Sequence, residues 1–177
     1  LSSDVPWPAD YGGVVDVFAT IKMLHEAGVK IHLHCFEYGR GEQPELENFC
    51  VSVNYYPRLT GHKCVSVELP YIVASRSTPE LRENLLKDDH PILLQGIHCT
   101  YLLHDERFKG RKIVVRLFNT EYLYYEQLCK STSPVSLFKK IYYHRESKLL
   151  KQYEQQTIDK ALFLALSEQD VKHYREV

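Results

Sequence analysis

Two runs of this chain, Ile92-Leu93-Leu94-Gln95-Gly96-Ile97 and Lys112-Ile113-Val114-Val115-Arg116-Leu117-Phe118, are almost continuously apolar. A strand with one wet face alternates apolar and polar residues. A strand covered on both faces does not, and that pattern marks a parallel sheet buried between helices. Three further strand-like runs accompany these two: Val29 to Phe36, which alternates, Phe49 to Tyr56, and Ala161 to Leu166. Helical patterns lie between them. Val14, Val17, Phe18, Ile21 and Leu24 recur at helical spacing, and Gly28 supplies a stop. Thr78-Pro79 opens a helix that ends near Asp88-Asp89, with Thr as cap and Pro in the first turn, where its missing N–H costs nothing. A short helical piece spans about Thr100 to Asp105, and another helix Thr120 to Lys130. A long helix runs from Ser133-Pro134 to roughly Asp159, with Phe138, Ile141, Tyr142, Leu149 and Tyr153 on a broken apolar stripe. Ser167 followed by Asp170 resembles a capping box before one more helix. The stretch from His62 to Ala74 reads as short helix or irregular. Strands alternating with helices build βαβ units. The expected fold is therefore a doubly wound, mostly parallel, Rossmann-like α/β sheet with helices on both faces, in one domain over residues 1–177.

The formal net charge of -1 argues against a protein held on nucleic acid by bulk charge. No apolar run approaches the roughly 18 residues that cross a bilayer. The five cysteines, at 35, 50, 64, 99 and 129, are odd in number and form no CxxC, so buried reduced thiols in a cytoplasmic protein are expected. Leu1-Ser2-Ser3-Asp4 reads as the tail of a strand, and Tyr174 to Val177 sits inside a helical pattern. The chain is expected to be a fragment.

In an open α/β sheet, ligands bind beyond the carboxyl ends of the strands. The first such loop contains Asp10-Tyr11-Gly12-Gly13, where a strand hands over to the first helix. Glycines there let a phosphate approach the N–H groups of the first turn. The pattern is neither GxGxxG nor a P-loop, and a tight helix start without ligand explains it equally well. His98 follows a buried strand, where a neutral imidazole can hydrogen-bond a substrate hydroxyl or simply be a satisfied histidine. Cys99 beside it points the other way and makes no Cys–His pair. Asn119 and Glu121 face the same crevice, or else cap the following helix and complement its dipole. His32 and His34 share one strand face, but no third ligand offers itself and no metal site is expected. Lys139, Lys140, Arg145, Lys148 and Lys151 read as a solvated helix face, or as a contact with a membrane surface.

Three stretches together resemble the N-terminal half of a GT-B glycosyltransferase of the retaining family-4 type. Tyr11-Gly12-Gly13-Val14-Val15 through Leu24 to Leu33 is similar to the family's "Gly-Gly, helix, Gly, strand" opening. Pro91 to His98 is similar to the strand ending in the family's histidine. Lys112 to Tyr125, with Ala165-Leu166-Ser167-Glu168-Gln169-Asp170, is similar to the valine-rich strand and the "Ala-x-Ser-Glu-x-Asp" ending of a bacterial subgroup. Phe118 departs from the pattern, standing where that subgroup has histidine.

The resemblance implies that Gly12 and Gly13 place N–H groups near a donor diphosphate and that His98 touches the donor sugar. Asn119 and Glu121 would line the cleft, and Asp10 and Tyr11 would help bind acceptor. It implies a nucleotide-sugar donor as substrate, a glycan or lipid-linked acceptor, no metal or other cofactor, and a second nucleotide-binding domain that 177 residues leave no room for. It further implies a role in bacterial polysaccharide biosynthesis, at the inner face of the membrane or in the cytoplasm. A GT-B-like sugar-nucleotide epimerase and a non-enzymatic doubly wound ligand-binding module are the alternatives. A receiver domain needs an acidic cluster, and only Asp4 and Asp10 lie near the first loop.

Overall fold

The computed structural model describes residues 1–133 and 135–176. Pro134, expected to open the long helix, and Val177 lie outside the described residues. In chain order the elements are α1 (Gly12–Glu26), β1 (His32–Glu37), β2 (Ser52–Pro57), α2 (Tyr71–Ala74), α3 (Pro79–Leu85) and β3 (Ile92–Gln95). Then come β4 (Ile113–Leu117), α4 (Glu121–Ser131), α5 (Leu137–Thr157), β5 (Leu162–Ala165) and α6 (Glu168–Glu176). The expected short helix after β3 is a longer 3-10 run, Ile97–His104.

β1 pairs with β2, β3 with β4, and β4 with β5, all parallel. The N-terminal residues join the two groups. Ser2 bridges Cys35 on one side and Gln95 on the other, again in parallel. The Ser2 N–H donates to His34 O at 2.8 Å, and the Gln95 N–H to Leu1 O at 3.0 Å. The strand order across the molecule is thus β2, β1, the Leu1–Ser3 segment, β3, β4, β5. The chain starts at the centre, winds outward to one edge, then returns and winds to the other. This is an open, mostly parallel α/β sheet flanked by helices, a Rossmann-like arrangement, with its switch point beside Ser2.

Alternating side chains divide the core between the two faces. Leu33 and Cys35 of β1 pack with Val17 and Ile21 of α1, while Phe36 of the same strand packs with Ile72, Val73, Leu81 and Leu85 of α2 and α3. Leu94, Val115 and Leu117 are fully or almost fully buried on that second face, with Leu150 and Tyr153 of α5. Burying each such side chain stabilises the fold by about 1.5–3 kcal/mol.

Some local expectations change. The apolar stripe on α5 packs only along its second half; Phe138 and Ile141 are exposed. Thr78 does not cap α3 through its side chain, and its buried hydroxyl has no partner among the described residues. Neither Thr120 nor Asn119 caps α4 with a side chain; Thr120 instead donates to Asp170 Oδ1 at 2.8 Å, tying α4 to α6. The Ser167 cap is present, with the Asp170 N–H donating to Ser167 Oγ at 3.1 Å. All five cysteines are free thiols, and all but Cys129 are buried.

Candidate functional site

A cavity of about 520 Å³ lies at the carboxyl ends of the strands, at the switch point. Ser2 and Ser3 form its floor. Arg58 reaches it from the end of β2, His98 from the turn after β3, Phe118 and Asn119 from the end of β4, and Leu166 from the end of β5. Tyr11, Gly12 and Gly13 enter from the start of α1, and Glu121 from the start of α4. The structure therefore brings together Tyr11, Gly12, Gly13, His98, Asn119 and Glu121. Asp10 does not line the cavity; its carboxylate accepts from Arg40 Nη2 at 2.8 Å, and Arg40 also sits over the Tyr11 ring. Tyr11 donates its hydroxyl to Asp4 Oδ2 at 2.7 Å.

The start of α1 is open. No side chain caps it, and its first turn carries no acidic residue. Val15 N–H donates to Tyr11 O at 2.9 Å. The N–H groups of Gly12, Gly13 and Val14 have no partner among the described residues, so they and the positive end of the helix dipole face the cavity. Neither glycine is required by the backbone, since neither has a positive φ. A Cβ at Gly12 would meet nothing within 4 Å, and one at Gly13 only the Tyr11 ring at 3.8 Å. At the first two positions of a helix the two glycines cost less than the roughly 1 kcal/mol relative to alanine that each would cost in a helix interior. What their bare backbone provides is room against the N–H groups.

His98 is placed by the turn that ends β3. Gly96 takes φ 89° and ψ 161°, a conformation open essentially to glycine alone, and its N–H donates to Arg116 O at 2.8 Å. Thr100 Oγ1 then donates to Ile97 O at 2.7 Å and meets the Tyr153 hydroxyl at 3.0 Å, pinning the 3-10 run to α5. Burial, aided by the Arg76 and Arg58 charges, pushes the imidazole down to about 3, so it is neutral near pH 7. Its Nδ1 is enclosed with no partner among the described residues. Burial raises the Glu121 carboxyl above its ordinary value, against a hydrogen bond from Asn119 and the Arg76 charge. The Cys99 thiol is buried, pushed up to about 11, and stays protonated.

Arg116 and Asp16 fix α1 to β4: both guanidinium Nη atoms donate to the Asp16 carboxylate. The pair holds the open helix end beside His98. Arg58 and Arg76 are cavity residues that sequence reasoning missed. An arginine after a strand carries no spacing signature, and the stretch that carries Arg76 inward was ambiguous in pattern.

His32 and His34 take ordinary partners instead. His32 Nδ1 lies 2.8 Å from Ser52 Oγ and His34 Nδ1 2.8 Å from the Tyr56 hydroxyl. Among the described residues no group of three His, Cys, Asp or Glu side chains is placed to hold a metal ion. No helix among the described residues is long and apolar enough to cross a membrane.

No model of a known protein family matches the chain, and no solved structure does. The chain is similar to an uncharacterized 44.6 kDa protein in the cps region of Klebsiella pneumoniae, with 30% identity over 182 residues. The similarity covers 96% of this chain and 46% of that protein, so the chain spans about half the length of the curated relative it matches.

Proposed function

We propose that this chain is the acceptor-side domain of a GT-B glycosyltransferase that moves a sugar from a nucleotide-sugar donor to a glycan or lipid-linked acceptor, with retention. The observation that carries the proposal is the juxtaposition of an uncapped, glycine-opened helix start with a buried neutral histidine in one cavity at the switch point. The α1 N–H groups would stabilise charge developing on the leaving diphosphate as the anomeric C–O bond breaks. The acceptor hydroxyl would form the new C–O bond and pass its proton to the departing diphosphate oxygen. His98, being neutral, would donate or accept a hydrogen bond at the donor sugar without adding charge. Asn119 and Glu121 would line the acceptor side. A second lobe would hold the nucleotide and close over the cavity to exclude water. A relative about twice as long, and its cps-region name, are in keeping with a second lobe and a sugar-handling role.

Gly13→Asp tests the assignment. A carboxylate at this helix position repels a diphosphate and fills the space beside the N–H groups. In the full-length protein, donor turnover is expected to fall by roughly 100-fold or more while the melting temperature stays near that of wild type. Full turnover in a folded variant removes the site.

The start of α5 suggests where a lipid-linked acceptor would be met. Val135, Leu137, Phe138 and Ile141 are exposed there beside Lys139 and Lys140. Apolar side chains flanked by lysines suit an anionic membrane surface at the inner leaflet. Co-sedimentation with phosphatidylglycerol vesicles should fall when Phe138 and Ile141 are both changed to serine; unchanged binding removes this contact.

A further inference from the structure

The cavity carries two cations that the diphosphate assignment does not use. Arg76 follows α2 and is 7% exposed. Its Nε donates to Ser3 O at 2.8 Å, and its Nη1 to Ile72 O at 2.9 Å and Ser75 Oγ at 3.2 Å. Its Nη2 has no partner among the described residues. Arg58 lies over the Tyr38 ring at 4.8 Å, and its Nε is enclosed without a partner among the described residues. Neither guanidinium forms an ion pair with a described carboxylate. Arg58 is half-buried, whereas desolvating the buried Arg76 without an ion-pair partner costs several kcal/mol, which an anion in the cavity would offset. Both charges act on His98, which places all three groups within electrostatic reach of one another.

The carboxylates lining the cavity answer that charge only in part. Asp4 acts on Arg76 through space but makes no ion pair with it, its oxygens accepting from the Tyr11 hydroxyl and the Val5 N–H. Asp16 is taken by Arg116. Glu121 is held toward its neutral form by burial. The direction of approach matters as well. The α1 N–H groups come from the face of the sheet that α1 covers, whereas Arg76 comes from the opposite face, at the end of α2. Two anion-binding features on opposite walls suit two anionic groups better than one diphosphate.

We propose that the second ligand of this cavity, the acceptor, carries a phosphate or carboxylate that seats on Arg58 and Arg76. The proposal rests on the glycosyltransferase assignment above, and it narrows the acceptor to an anionic sugar. Arg58, whose Nε is unpaired, can bind either group by two parallel N–H···O bonds, and Arg76 adds a single donor through Nη2.

The test uses the full-length protein and isothermal titration with glucose 1-phosphate, glucuronate and neutral glucose, together with a panel of nucleoside diphosphates. At least one anionic probe should bind, with glucose far weaker, and which of the two binds identifies the phosphate or the carboxylate as the source. Arg58→Gln should weaken that probe roughly tenfold or more and leave nucleoside diphosphate affinity unchanged. Arg76 is buried, so Arg76→Lys, which keeps the charge and loses the free Nη2 donor, is the safer second variant and should give a smaller loss. Glucose binding as tightly as both anionic probes, or an Arg58→Gln variant that binds them unchanged, overturns the proposal. If diphosphate binding persists and responds to Gly13→Asp in that case, the donor site stands and only the anionic acceptor is lost. If no nucleoside diphosphate binds while a sugar anion still depends on Arg58, the subsite stands and the transferase assignment falls.

Discussion

Replacing Gly96 by alanine would test whether the turn after β3 builds the site. Gly96 sits at φ 89° and ψ 161°, where a side chain strains the backbone by about 1–3 kcal/mol. The added methyl would also lie 2.9 Å from His98 Nδ1 and 3.5 Å from the Phe118 ring, so the imidazole must turn out of its place. For a chain of 177 residues, each kcal/mol shifts the melting temperature by roughly 2–4 °C. Gly96→Ala should therefore lower it by roughly 3–10 °C, measured by calorimetry, and should move the His98 ring resonances. Gly12→Ala is the control: its φ is helical and its Cβ meets open space, so stability should hold or rise slightly. A Gly96→Ala protein that melts within about 1 °C of wild type, with the His98 resonances unmoved, would refute the claim that this turn sets the histidine.

His98→Ala in the full-length protein should lower kcat more than it lowers thermal stability; an unchanged kcat removes the histidine from the reaction. Stability should also depend on pH through buried groups. Burial pushes His98 to about 3 and His34 to about 4, below the ordinary 6.5. Below pH 6.5 the unfolded chain takes up protons at these rings and the folded chain does not. Their contribution is full above pH 6.5 and is lost as pH falls toward 4. Glu154 acts in the opposite sense: burial pushes it up to about 7, so its contribution is full below pH 4.5 and is lost as pH rises to 7. Glu121 and Glu146, which burial also raises, act in the same sense as Glu154, so the measurement is comparative. Between pH 7 and pH 5 the urea midpoint should fall less, or rise more, in His34→Gln than in wild type, and the reverse in Glu154→Gln; profiles parallel to wild type in both variants contradict the assignment.

Much of the architecture was legible because burial on both faces leaves a plain mark. Ile92-Leu93-Leu94 and Ile113-Val114-Val115 have no alternation, and both are interior strands. Leu1 to Asp4, expected as the tail of a strand, forms only isolated bridges at Ser2, and the place of Ser2 between β1 and β3 explains why the loop after it faces the cavity. Gly12, Gly13, His98, Asn119 and Glu121 could be grouped because topology places strand ends together. Other features depend on tertiary context. The stripe on α5 looks the same whether or not a partner covers it, so the exposure of Phe138 could not be read from spacing. Asp10 looked like a cavity residue until Arg40, from a distant loop, claimed it. Arg76 reaches the cavity only because α2 turns its guanidinium back under Ser3, a path that no local pattern encodes.

The join at Ser2 has a mechanical consequence. Two wings of the sheet, one of β1 and β2 and the other of β3 to β5, are stitched together by the single Leu1–Ser3 segment. Arg58 belongs to the first wing, and His98 and Asn119 to the second. A molecule gripped from both sides would act as a brace across that seam. Occupancy would then slow amide exchange at Ser2, Phe36 and Gln95 together, even though their hydrogen atoms never touch the guest.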